Sequence, residues 1–108
     1  MDLTPQQLKI LERLHSRGFE IVAFPMYAQY VGVRKSEHAA LLAPLKSGGF
    51  TIYTKPTLLI GGNFTVRITR DGRDHFVWKK ASLEATPARL AALDSFARAL
   101  SDALLAAL

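Results

Sequence analysis

The chain has 108 residues, 49% of them hydrophobic, with a formal net charge of +5 and no cysteine. That length suits a single domain, 1–108, with one modest core, and the missing cysteines exclude disulfides, thiolate metal sites, iron-sulfur ligation and a cysteine nucleophile. No apolar run approaches the roughly 20 residues of a membrane-spanning helix. The opening MDLTPQQLKILERL is acidic and polar where a secretory leader would be basic and then apolar, so a cytoplasmic protein with no membrane partner is expected.

Thr4, Pro5, Gln6 and Gln7 form a capping box with proline at the first helical position. A short amphipathic helix follows, with Leu8, Leu11 and Leu14 at helical spacing, Ile10 widening the stripe, and Gly18 as its stop. From Phe19 the period falls toward two and β-branched and aromatic residues accumulate in FEIVAF, YAQYVGVR, AALLAPL, FTIYTK and TLLI. These runs read as strands. Pro25, the cluster from Lys46 to Gly49, Pro56 and the stretch Gly61 to Asn63 serve as the turns between them.

The stretch NFTVRITRDGRDHFVWKK is a β-hairpin around Asp71 and Gly72. A two-residue loop would set Phe64 opposite Lys79 and Ile68 opposite His75. A three-residue loop of Arg70, Asp71 and Gly72, closed by a glycine bulge, sets Phe64 against Trp78 and Val66 against Phe76. Hydrophobic pairing selects the three-residue loop, with Phe64, Val66, Ile68, Phe76 and Trp78 on one face and Thr65, Arg67, Thr69, His75, Val77 and Lys79 on the other. Thr86 and Pro87 then open a second helix running to the C-terminus. Its seam of Leu90, Leu93, Ala97, Leu100 and Leu104, broadened by Phe96, Ala103 and Leu105, packs across the sheet. The part left over, chiefly Phe96, Leu100, Leu104 and Leu108, is expected to support a homodimer.

The fold class expected is therefore α+β: an N-terminal helix, a meandering antiparallel sheet of about five or six strands, and a C-terminal helix packed on one sheet face. A second architecture competes over 24–45. FPMYAQYVGVRKSEHAALLAPL resembles the helix-turn-helix of bacterial winged-helix regulators, with Ala28 at the small position of the first helix, Gly32 at the turn, Val31 and Val33 beside it and Leu41 in the second helix. The resemblance implies a recognition helix presenting Ser36, Glu37 and His38 to DNA, and a wing made of the hairpin. Pro44 inside that helix, His38 at an aliphatic position and the proline and tyrosines of the first helix point back to strands.

No chemistry is written in the remaining residues. His15, His38 and His75 lie far apart with no partner at metal-ligand spacing, and neither Ser47-Gly48-Gly49 nor Gly61-Gly62-Asn63 has the context of a nucleophile or phosphate loop. No catalytic residue, metal or cofactor is expected. The charge is uneven: nine basic residues against three acids lie between Arg34 and Lys80. This excess allows two readings, a solvated edge defended against strand pairing or a nucleic-acid face built of Arg67, Arg70, Arg73 and Lys79. The expected function is a small non-enzymatic protein-interaction module. A nucleic-acid binder is the alternative, and a small-molecule pocket lined by Tyr27, Tyr30, Tyr53 and Trp78 comes third.

Overall fold

A computed structural model describes residues 2–106. The first helix, α1 (Pro5–Ser16), starts where its capping box places it: the Thr4 hydroxyl accepts from the Gln7 amide and the Gln7 side chain accepts from the Thr4 amide. The Gln7 carboxamide is buried, and its amino group donates to the carbonyls of Leu45 and Gly49 at 2.9 and 3.1 Å, tying the helix start to the loop beyond the third strand. The buried stripe is Gln7, Ile10 and Leu14, so Leu8, expected inside, is half exposed.

Five strands follow as an antiparallel meander: β1 (Glu20–Val22), β2 (Val31–Lys35), β3 (His38–Pro44), β4 (Phe50–Ile60) and β5 (Asn63–Phe64). The α+β class, the helices at both ends and the meander are as the sequence leads one to expect. The helix-turn-helix is not: 31–35 and 38–44 are paired strands, and Pro25–Tyr27 is a single 3-10 turn. The AALL run of β3 is buried throughout because that strand is covered on both faces. Val33, Ala40 and Leu42 meet Ile10 and Leu14 of α1, Phe19, and Phe96 and Leu100 of the last helix in one cluster. Burying each of the larger side chains contributes about 1.5–3 kcal/mol.

Pro56 is not a turn. It lies inside β4, where the register with β3 runs from Ala39↔Thr57 to Leu41↔Thr54, so that two residues of β4 face one of β3. A second irregularity leaves Tyr53 extra between Thr54 and Ile52. The proline, which has no amide hydrogen to donate, therefore sits where the ladder is already interrupted, and the bulges bend the strand.

Three further strands, β6 (Val66–Arg70), β7 (Arg73–Trp78) and β8 (Ala81–Glu84), form a second antiparallel sheet, the last of them without a strand signal of its own in the sequence. The hairpin register is also different from the one expected. Val66 pairs with Val77, Ile68 with His75 and Arg70 with Arg73, which leaves a two-residue loop of Asp71 and Gly72 with φ of 52° and 75°. Both central residues are left-handed, as a type I′ turn requires, and that turn matches the twist of the strands it joins. Backbone twist outweighed the side-chain pairing that favours the longer loop.

The final helix, α2 (Pro87–Ala106), is capped by Thr86, whose hydroxyl accepts from the Arg89 amide. Its buried residues are Phe96, Leu100 and Ala103, rotated from the seam expected, while Leu105 stays 68% exposed. No helix among the described residues is long and apolar enough to cross a membrane.

Gly32 of β2 has no room for a side chain: a Cβ there would collide with the Phe24 ring and with the Val22 carbonyl oxygen. The ring can shift, but the carbonyl belongs to the paired strand and cannot. Gly32→Ala is therefore expected to cost about 1–3 kcal/mol, as overpacking does, read as a lower urea midpoint with an unchanged slope.

Candidate functional site

The main concavity lies where the two sheets part. β5 ends at Phe64, β6 begins at Val66, and Thr65 between them is buried. Its hydroxyl donates to the Leu58 carbonyl at 2.6 Å, which leaves the Thr57 hydroxyl, 3.2 Å away, to donate to Thr65. From this clasp β4 and β6 diverge. The trough between them has a volume of about 460 Å³ and is walled by Tyr27, Phe64, Phe76 and Trp78, by Lys55 and Pro56 of β4, by Val66 and Arg67 of β6 and by Leu93 of α2.

The aromatic end of the trough is well defined. Phe64 meets Phe24 edge to face, with centroids 4.7 Å apart, and Tyr27 at 5.7 Å. These rings, with Pro25, Met26 and Trp78, frame a narrower recess of about 110 Å³ that shares Tyr27, Phe64 and Trp78 with the trough. Pro25 presets the 3-10 turn that holds Met26 and Tyr27. At the other end a depression of about 420 Å³ shares Lys55, Pro56, Arg67 and Leu93 with the trough and is bounded by Leu90, Asp94 and Ala97. The first half of the α2 seam thus overhangs open space, and only its second half reaches the core.

Of the four tyrosine and tryptophan positions proposed as pocket lining, Tyr27 and Trp78 line this trough, whereas Tyr30 and Tyr53 stack on each other 3.9 Å apart and line neither it nor the recess. Phe24, Met26, Phe64, Lys55 and Leu93 were not anticipated. Apart from the edge proline beside Met26, nothing local distinguishes them, since the Phe24–Phe64 contact joins residues forty positions apart.

The basic residues do not form one face. In the register observed, Arg67 shares its side of the hairpin with Phe76 and Asp74, while Arg70 and Arg73 share the opposite side with Ile68 and His75. The Arg67 guanidinium lies 5.5 Å from the Phe76 ring centre and 3.8 Å from the Asp74 carboxylate, and Arg73 is 3.3 Å from Glu84. Lys79 occupies the left-handed position of the next turn, with its ammonium 5.3 Å from the Trp78 ring centre. Of the proposed self-association residues, Phe96 and Leu100 are enclosed by the chain's own core, Leu104 packs at its margin, and Leu108 lies outside the described residues.

A second, shallower depression contains His38 at the start of β3, with Lys35, Ser36, Ser95, Phe96 and Ala99 around it. The imidazole stacks on Phe96, with centroids 5.7 Å apart. Desolvation lowers its pKa below the ordinary histidine value and outweighs the opposing pull of Glu37 and of a backbone hydrogen bond. The unfolded chain then takes up this proton at a higher pH than the folded one. His38 should thus cost no stability above about pH 6.5, the ordinary imidazole value. As the pH falls through that value toward the lower folded one, stability should be lost. Subtracting the urea midpoints of His38→Gln from those of the wild type between pH 8 and pH 5 isolates this contribution, and the difference should turn against the wild type on the acid side.

No protein-family model matches the chain, and neither a curated protein nor a solved structure matches it.

Proposed function

We propose that this chain is a non-enzymatic interaction module that receives part of a partner protein in the trough between its two sheets. The observation that carries this reading is the way α2 is used. Leu90, Leu93 and Ala97 continue the apolar stripe of the helix, yet they border an open depression joined to a trough with aromatic walls. A concavity with apolar walls and a few polar groups at its rim fits binding. Here those polar groups are Lys55, Arg67 and the Thr54 hydroxyl, the hydroxyls of Thr57 and Thr65 being taken up by the clasp.

A photo-cross-linking residue placed at Val66, which borders the trough and is 62% exposed, is expected to yield a protein adduct in cells that produce the chain. The same residue at Ser101, on the exposed side of α2, should yield none. Trp78→Ala should remove the Val66 adduct without unfolding the protein, since Trp78 is only partly buried. An adduct of twice the chain's mass would identify the partner as a second copy, the homodimer that the sequence leads one to expect. Adducts of equal yield at both positions would end this reading.

The alternative, nucleic-acid binding, draws on Arg70 and Arg73, cross-strand neighbours at the hairpin tip. A salt titration separates the two. Each phosphate neutralised on duplex DNA adds about 0.9 to the log-log slope of affinity against salt, so a four-cation face requires a slope of about −3 to −4. With Arg67 on the other side of the hairpin and Arg73 beside Glu84, duplex binding is expected to be undetectable at physiological salt. A steep salt dependence that drops by about two on joint Arg70→Ala and Arg73→Ala substitution would favour the nucleic-acid reading.

A further inference from the structure

Away from the trough, Tyr30 and Tyr53 lie face to face, with ring centroids 3.9 Å apart and planes 15° from parallel. The pairs Phe19 with Phe96, Phe24 with Phe64 and Tyr27 with Phe64 instead meet edge on, as the ring quadrupole favours. The sheet shows how the two phenols are brought together. β3 lies between β2 and β4, and Val31 pairs with Leu42, which pairs with Ile52. Val31 and Ile52 pack in the core beneath the helices, so by strand alternation Tyr30, just before β2, and Tyr53 point to the other face of the sheet. Tyr53 is the residue left extra by the bulge between Ile52 and Thr54, and a bulge re-aims the side chain it carries.

The pKa of Tyr30 is raised above the ordinary phenol value, first by a hydrogen bond with the Tyr53 side chain and then by desolvation, so the hydroxyl ends of the rings lie together. Near-parallel rings with their hydroxyl ends together also have their ortho carbons, the Cε atoms, facing each other. Tyr53 is 56% exposed and Tyr30 is half-buried, which leaves the pair open to solvent.

We propose that Tyr30 and Tyr53 are a site of oxidative cross-linking, at which a one-electron oxidant driven by hydrogen peroxide joins the two rings as an intramolecular dityrosine. Each phenol gives up one electron and one proton and becomes a phenoxyl radical. The radicals couple through a new bond between one ortho carbon of each ring, and the hydrogens on those carbons pass to the oxygens as the rings regain aromaticity. The chain thus loses two hydrogen atoms, whose electrons and protons reduce one hydrogen peroxide to two waters. The bond bridges β2 and β4 over β3. Because it closes a loop in the unfolded chain, it should also stabilise the fold.

The test treats the full chain, at micromolar concentration, with hydrogen peroxide and a haem peroxidase. The expected product is a monomer lighter by two hydrogen atoms that fluoresces as dityrosine, in a yield independent of protein concentration. Trypsin should release it as a link between 18–34 and 47–67, since Pro56 protects the bond after Lys55. Tyr30→Phe and Tyr53→Phe, which remove only a hydroxyl and whose folding circular dichroism checks, should each eliminate this product. Tyr27→Phe takes away the one other tyrosine of the chain and should leave the product unchanged.

Two further readouts separate a preorganised pair from chance reaction. In urea that unfolds the chain the link should lose its preference for Tyr30 over Tyr27, and the cross-linked monomer should have a higher urea midpoint than the untreated chain. Products that are chiefly dimeric, a monomeric link that survives Tyr30→Phe or Tyr53→Phe, or a yield no greater in the folded chain than in the unfolded one would each overturn the proposal. So would a lowered midpoint, which would mean that the bond forms only by distorting the sheet.

Discussion

The clasp at Thr65 decides the shape of this protein. A buried threonine hydroxyl that donated to nothing would cost the desolvation of a polar group, about 1–3 kcal/mol. Here it donates to Leu58 and accepts from Thr57, so the chain leaving β5 is held against β4 at the point where pairing between the two strands stops. Beyond it, β6 takes β7 as its partner instead. One continuous sheet would have filled the space that the trough occupies. The second sheet, the aromatic recess and the unpaired edges all follow from this change of partners.

The same division explains why β4 is eleven residues long and bulged. Its first part pairs with β3 and carries Phe50 and Ile52 toward the helical core, and its last part carries Leu59 to the pairing with β5. A flat strand could not serve both, because sheets twist and a bulge is the cheapest way to re-aim side chains within one strand. Phe24 over Gly32 then covers the sheet face away from the helices, which is why the residues of β3 are buried on both sides and why a glycine is required beneath the ring.

What the sequence makes legible is what nearest neighbours decide. Thr4 to Gln7 and Thr86 with Pro87 mark the helix starts, and Asp71-Gly72 and Gly61-Gly62 mark hairpin turns, because each of these signals acts within a few residues. The hairpin register failed for a physical reason. The pairing argument assumes one dry face and one wet face, but Phe76 and Val77, adjacent in β7, are both buried, and the Arg67 guanidinium lies over the Phe76 ring. With both faces partly covered, hydrophobic alternation no longer selects a register and the turn does. Pro56 misled for a similar reason: a proline reads as a break unless the ladder is already broken there. The trough was illegible because its walls come from five separate stretches of chain that only the fold brings together.

Charge is the other place where position matters more than composition. The basic excess between Arg34 and Lys80 ends just short of Glu84, and that residue, brought alongside β7 by β8, takes up Arg73. Asp74 lies on the same side of the hairpin as Arg67, 3.8 Å from its guanidinium, so the arginine that lines the trough is itself ion-paired. Exposed ion pairs of this kind add little stability. Their consequence is to thin the positive charge on both faces of the second sheet, so the trough is distinguished by its apolar walls. The overhanging stripe of α2 acts in the same direction, since Leu90, Leu93 and Ala97 supply apolar area that the chain's own residues leave open. Apolar walls, the open stripe of α2 and the outer edge of β6 converge on one concavity, which the clasp at Thr65 keeps from closing into a single sheet.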